Sequence, residues 1–96
     1  ARREAEALME DLTQYANIGQ VLAEKLASAG ITSLDELTAV GSIEAMLRMG
    51  ETNLSASANM LFALEGAIRG VRWHALPQQE RQKLWREFKE AVGRAF

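Results

Sequence analysis

Tyr15-Ala16-Asn17-Ile18-Gly19-Gln20-Val21-Leu22-Ala23-Glu24-Lys25-Leu26-Ala27-Ser28-Ala29-Gly30-Ile31 is the stretch whose reading decides the fold. It opens on a tight turn, Asn17-Ile18-Gly19, and closes on a helix stop, Gly30-Ile31. Between them Ile18, Val21, Leu22, Lys25, Leu26 and Ala29 recur at helical spacing, and only Lys25 interrupts the apolar stripe. With Gly30 in the left-handed conformation, Ile31 falls back onto Leu26, as in a Schellman stop. Before the turn, Ala5, Leu8, Met9, Leu12 and Tyr15 or Ala16 form a second stripe. That stripe predicts a helix from about Glu4 to Tyr15, with Glu4 and Glu6 in the first turn, where negative charge suits the helix dipole. Helix, short glycine-containing turn, helix is the outline of a helix-hairpin-helix, a unit that elsewhere holds a nucleic-acid backbone or another protein.

Downstream, Ser33-Leu34-Asp35-Glu36 reads as a capping box, with Ser33 capping free N–H groups and Glu36 reaching back to the Ser33 N–H. It starts a short helix with Leu34, Leu37 and Val40 inward. A second tight turn, Val40-Gly41-Ser42, places Ser42 to cap a further helix that buries Ile43, Met46 and Leu47 and stops near Gly50. The layout of helix, glycine turn and helix thus occurs twice over residues 4–50, as a pseudo-repeat sharing little sequence. Residues 54–70 are apolar almost all round, through Met60, Leu61, Phe62, Ala63, Leu64, Ala67 and Ile68. Such a helix belongs in the middle of the molecule. Gly66 inside it costs about 1 kcal/mol relative to Ala, so a close helix crossing is expected there. Pro77 is suited to the first position of a last helix, 77–96, with Leu84, Trp85, Phe88, Ala91 or Val92, and Ala95 or Phe96 on one face. The chain 1–96 reads as one all-α domain of five to six short helices, tandem hairpins around a buried central helix.

Ninety-six residues, 48% of them apolar and 25% charged, make one small globular core rather than two, and not a disordered chain. With no cysteine, disulfides and thiolate metal sites are excluded. The longest apolar run, Met60 to Leu64, is far too short to span a membrane, and no signal-peptide pattern is present, so a cytoplasmic location is expected. The start at Ala1-Arg2-Arg3, without Met, suggests a domain cut from a longer protein. The net charge of -2 conceals an asymmetry. Residues 1–59 carry Arg2, Arg3, Lys25 and Arg48 against nine carboxylates, whereas residues 60–96 carry seven Lys/Arg against Glu65, Glu80, Glu87 and Glu90. Any basic face for nucleic acid must come from the C-terminal part.

Three stretches together resemble a known family. Asn17-Ile18-Gly19, Ala23-Glu24-Lys25-Leu26 with Gly30-Ile31, and Leu34-Asp35-Glu36-Leu37 look like the C-terminal domain of the TfoX/Sxy-type regulators of DNA transformation (competence). The more specific motif is Leu61-Phe62-Ala63-Leu64-Glu65-Gly66-Ala67-Ile68-Arg69-Gly70, followed by Trp73 and Leu76-Pro77. The likeness runs from about Leu12 to Phe88. It implies a helix-hairpin-helix or SAM-like bundle, no enzymatic activity, and a role in transcription regulation of competence beside the cAMP receptor protein. No agreed binding residues come with it. Family members often have Pro before Asn-Ile-Gly, where this chain has Ala16, which loosens the turn.

The candidate contact residues are Asn17, Ile18, Gly19 and Lys25 in the hairpin, and Arg69, Arg72, Arg86 and Lys89 beyond it. DNA-binding hairpins use bare glycine backbone so that N–H groups reach a phosphate at the next helix start. Here Asn17 stands for the first glycine; it tolerates the left-handed conformation but obstructs close approach. Lys25 and Glu24 cancel locally. The plainer reading is that Ile18 and Gly19 lock the two helices together. In the basic set (Arg69, Arg72, Arg81, Lys83, Arg86, Lys89, Arg94), Arg69 and Arg72, and Arg86 and Lys89, are each three apart and able to share a face. Glu80, Glu87 and Glu90 are interleaved, the pattern of a solvated surface. Trp73, Trp85 and Phe88 are able to stack on bases, but beside Leu76 and Leu84 they read as core; the Trp-Phe stripe of the last helix also suits a partner-docking or dimerisation helix. His74 stands alone, neither a zinc ligand nor half of a catalytic pair, and the neighbours Glu10 and Asp11 read as a solvated carboxylate pair. The residues predict no catalysis and no cofactor. Three functions stay open: protein contact in regulation, direct nucleic-acid binding, or dimerisation and support alone.

Overall fold

Gly30 shows why the helix that follows Gly19 ends where it does. In a computed structural model describing residues 11–51, 53 and 57–95, Gly30 has φ +83°, a conformation that disfavours any residue with a Cβ. It lets Ile31 N–H return to the Leu26 carbonyl (2.8 Å) and Gly30 N–H to the Ala27 carbonyl (3.0 Å). Ile31 is thereby folded onto Leu26, and both are buried. This is the expected Schellman stop. The same pair of bonds recurs at Gly50, where Glu51 N–H reaches Met46, and at Gly70, where Val71 N–H reaches Gly66.

The described residues form five α-helices and no strand: α1 (Gln20–Ser28), α2 (Leu34–Val40), α3 (Ser42–Arg48), α4 (Ala58–Arg69) and α5 (Gln78–Ala95). Single 3-10 turns cover Leu12–Gln14 and Trp73–Ala75. Most of the helix expected over residues 4–15 lies outside the described residues. The part described is no α-helix, because Asp11 is extended and caps the Leu12–Gln14 turn through its side chain, which accepts from Thr13 N–H. Residues 54–56, expected to begin the central helix, and Phe96 also lie outside the described residues.

As expected, α4 occupies the centre. Leu61, Ala63, Leu64, Gly66 and Ala67 are buried, and the helix contacts α2, α3, α5 and the Trp73–Ala75 turn. Leu26, Leu37, Met46 and Phe88 close around it with no exposed surface. Each such side chain contributes about 1.5–3 kcal/mol of transfer free energy. Two inward stripes differ from expectation. On α1, Leu22 and Leu26 continue the line of Ile18 at four-residue spacing, while Val21 turns outward and is 66% exposed. On α3, Ala45 and Met46 are buried, while Ile43 and Leu47 are only partly covered.

Two caps are also corrected. Ser33 Oγ accepts from Glu36 N–H at 3.1 Å, but the Glu36 carboxylate reaches on to the N–H and hydroxyl of Thr32. Ser42 does not cap α3. Gly41 holds that position, and the Ser42 side chain turns inward. Pro77 sits just before α5 rather than within it, its carbonyl accepting the Arg81 N–H at 3.0 Å.

Candidate functional site

Asn17 was expected to stand in for a left-handed glycine and to obstruct close approach of a phosphate. It does not take the left-handed conformation, since no non-glycine residue among those described has positive φ. Its amide bonds to backbone that lies 54 and 56 residues further along the chain. Nδ2 donates to the Val71 carbonyl at 2.6 Å, and Oδ1 accepts the Trp73 N–H at 3.0 Å. The amide thus satisfies both backbone groups freed where α4 ends. Gly66 makes room for it. A Cβ there would lie 2.6 Å from Asn17 Nδ2, 2.7 Å from the Val71 oxygen and 3.1 Å from the Trp73 nitrogen. The close approach foreseen at Gly66 exists, but its partners are a side chain and a loop rather than a crossing helix. Beside this clamp lies a hollow of about 570 Å³ lined by Asn17, Gly19, Gln20, Val21, Asn59, Met60, Arg72, Trp73 and His74, among others. Of the expected contact residues it gathers Asn17, Gly19 and Arg72. Ile18 is buried rather than presented. Gly19 caps α1 with φ −87° and no side-chain bond.

The remaining candidates lie elsewhere. Lys25 is not cancelled by Glu24; it forms a half-buried ion pair with Glu51, while Glu24 accepts from Gln20. Arg69 is bound twice, through Nε to Glu65 at 2.8 Å and through Nη1 to Glu80 at 2.9 Å. Hydrogen bonding to Glu65 first, and to Glu80 second, holds its guanidinium above the ordinary arginine value. The other oxygen of Glu65 accepts from the buried Ser42 hydroxyl at 2.7 Å. Ser42, Glu65, Arg69 and Glu80 therefore link α3, α4 and α5 in one polar chain.

That chain forms part of a groove of about 790 Å³ between α3 and α5. Ile43, Leu47, Leu84 and Ala91 supply apolar surface, and Glu44, Lys83, Glu87 and Arg94 supply charge of both signs. Arg86 and Lys89 are exposed on α5 and line neither the groove nor the hollow.

Sequence reasoning missed Ser42, Glu65 and Arg81 as connecting residues. The signal for Glu65 was present, as a lone carboxylate in an otherwise apolar helix. Arg81 places its guanidinium 5.9 Å from the centre of the Trp73 ring, which also stacks on Phe62 at 6.4 Å. Phe88 is core as expected and contacts Trp85 at 5.7 Å, but Trp73 and Trp85 are only partly buried. No group of three His, Asp or Glu residues able to hold a metal gathers among the described residues, and none of the described helices is long and apolar enough to cross a membrane.

Fold and surface together define a small all-helical module whose most distinctive side chains bind one another. The chain belongs to the TfoX C-terminal domain family, which it matches over residues 8–88. It is similar to a Listeria monocytogenes protein described as uncharacterised, solved in a triclinic crystal form. The two are 41% identical, with a TM-score of 0.73, over 85% of this chain and 92% of that one. A Listeria monocytogenes protein of unknown function, in a tetragonal form, matches at 41% identity and a TM-score of 0.73 over 85% of this chain and 99% of that one. Comparison with curated proteins gave no match.

Proposed function

We propose that this chain is a non-catalytic regulatory module of a TfoX/Sxy-type competence regulator, working in the cytoplasm by protein contact. The observation that carries this reading is the groove between α3 and α5, with apolar walls and charges of both signs. Mixed charge beside apolar surface suits a protein partner better than a polyanion, which selects a single sign. The hairpin points the same way, because Asn17 and Lys25 are engaged internally. Family membership makes the cAMP receptor protein the first partner to try. The test is binding of the cAMP receptor protein to the chain and to a Leu84→Asp, Ala91→Asp variant. Loss of binding in the variant supports the groove; unchanged binding removes it.

Direct nucleic-acid binding is favoured by one arrangement, Arg72 beside the start of α1. Anisotropy with duplex DNA separates the two readings. Phosphate binding weakens with salt at a slope of roughly one per neutralised phosphate, and an apolar contact does not. Steep salt dependence that is relieved by Arg72→Glu would replace the protein-contact reading. Charge reversal of Arg86 and Lys89 asks whether the outer face of α5 takes part. Sedimentation of the isolated chain tests the third function, dimerisation.

A further inference from the structure

Several basic side chains among the described residues have no carboxylate partner, and Arg81 differs from the rest in that its Nε is also buried. Arg48 and Arg69, like Lys25, pair with carboxylates, but no carboxylate among the described residues pairs with Arg81. Its Nε is buried and has no hydrogen-bond partner. A charged donor left in that state is costly, and native structures rarely leave one without a reason. The side chain is held against the Trp73 ring, so its position is set before any ligand arrives. It also lines a hollow of about 300 Å³ between α4 and α5, with Ala58, Phe62, Gln78, Gln82 and Trp85. Two aromatic walls, two amides and one unpaired guanidinium meet there. The volume is at the small end for ligand sites, enough for one ring-sized body.

We infer that this hollow binds a carboxylate carried on a ring-sized apolar body. The apolar part lies against Phe62 and Trp85, and the carboxylate supplies the counter-charge that Arg81 lacks. A guanidinium is suited to this because it offers paired donors to both carboxylate oxygens. A phosphate is a weaker fit, since one cation and two amides between aromatic walls favour a single charge on an apolar group. The site is separate from the α3–α5 groove and from the hollow at α1.

The probe is phenylacetate, titrated into the full chain while the Trp85 indole N–H is followed by NMR. Saturable shifts are expected. Phenylacetamide, with the same ring and no charge, should bind the unaltered chain about tenfold more weakly, the loss of one charge-assisted hydrogen bond. Arg81→Met should weaken phenylacetate by a similar factor, and Ala58→Leu, which fills the hollow and leaves the cation, should remove the response. The inference is overturned if phenylacetate gives no saturable shift, or if phenylacetamide binds the unaltered chain as tightly. Because those two arms use the unaltered chain, they hold even where a variant fails to fold. N-acetyl-Phe-Asp-amide carries the same groups on peptide backbone. Tighter binding than phenylacetate assigns the site to a protein segment, and weaker binding assigns it to a free acid.

Discussion

Glu65 and Gly66 are neighbours on α4, and they join it to the rest of the molecule in opposite ways. Gly66 contributes only the absence of a side chain, so that Asn17 and the backbone of Val71 and Trp73 can close against the helix. Glu65 contributes a charge, shared between Ser42 on one side and Arg69 on the other. The first junction is neutral, short and sterically defined, so it should tolerate almost no change. The second is half-open to water, where Coulomb energy is screened and side chains adjust, so it should tolerate a good deal. Two adjacent positions teach that closeness in sequence says nothing about how firmly a residue is held.

The comparison breaks most directly at Gly66. Gly66→Ala gains helix propensity, but its Cβ meets pinned atoms, so a net loss of about 2–3 kcal/mol is expected in urea denaturation. A variant as stable as the parent would mean that the junction yields. Asn17→Ala removes the partner of one exposed carbonyl and one part-buried N–H, at about 1–2 kcal/mol. In the double variant the losses should be less than additive, because part of the Gly66→Ala clash is with Asn17 itself. Full additivity would show that the two residues do not meet in solution.

Glu65→Gln keeps an acceptor for Ser42 but gives up the charge facing Arg69. It should cost less than about 1 kcal/mol, and the cost should shrink in high salt. A larger, salt-independent loss would place Glu65 in the same class as Gly66. The smallest effect is expected at the exposed Asp11. Hydrogen bonds from the Thr13 hydroxyl first, and from its N–H second, lower the Asp11 carboxyl below its ordinary value of 3.8. A depressed carboxylate stabilises the fold above its unfolded value and loses that contribution as the pH falls through its folded one. The difference in melting temperature between the parent and Asp11→Asn should therefore narrow as the pH drops below 3.8. A difference that is constant with pH would show that Thr13 does not hold the carboxylate.

Much of the fold was legible because its causes are local. Gly30, Gly50 and Gly70 stop helices through backbone geometry, Ser33 caps through a bond three residues away, and the apolar girth of residues 60–68 could only be central. The candidate site was less legible because its partners are distant in the chain. Asn17 looked like a worn glycine because Val71 and Trp73 lie more than fifty residues on. Lys25 looked cancelled by its neighbour Glu24, and is instead taken by Glu51. Ser42 looked like a cap until Glu65 was set beside it.

The stretch Tyr15–Ile31 shows the division plainly. By itself the sequence determined its helix and its stop, since each rests on backbone conformations and bonds that span five residues or fewer. Only the tertiary structure decided what Asn17, Val21 and Lys25 do. Whether an amide clamps a loop, a valine stays wet or a lysine is neutralised depends on which surface packing brings near. No periodicity in the chain encodes that surface.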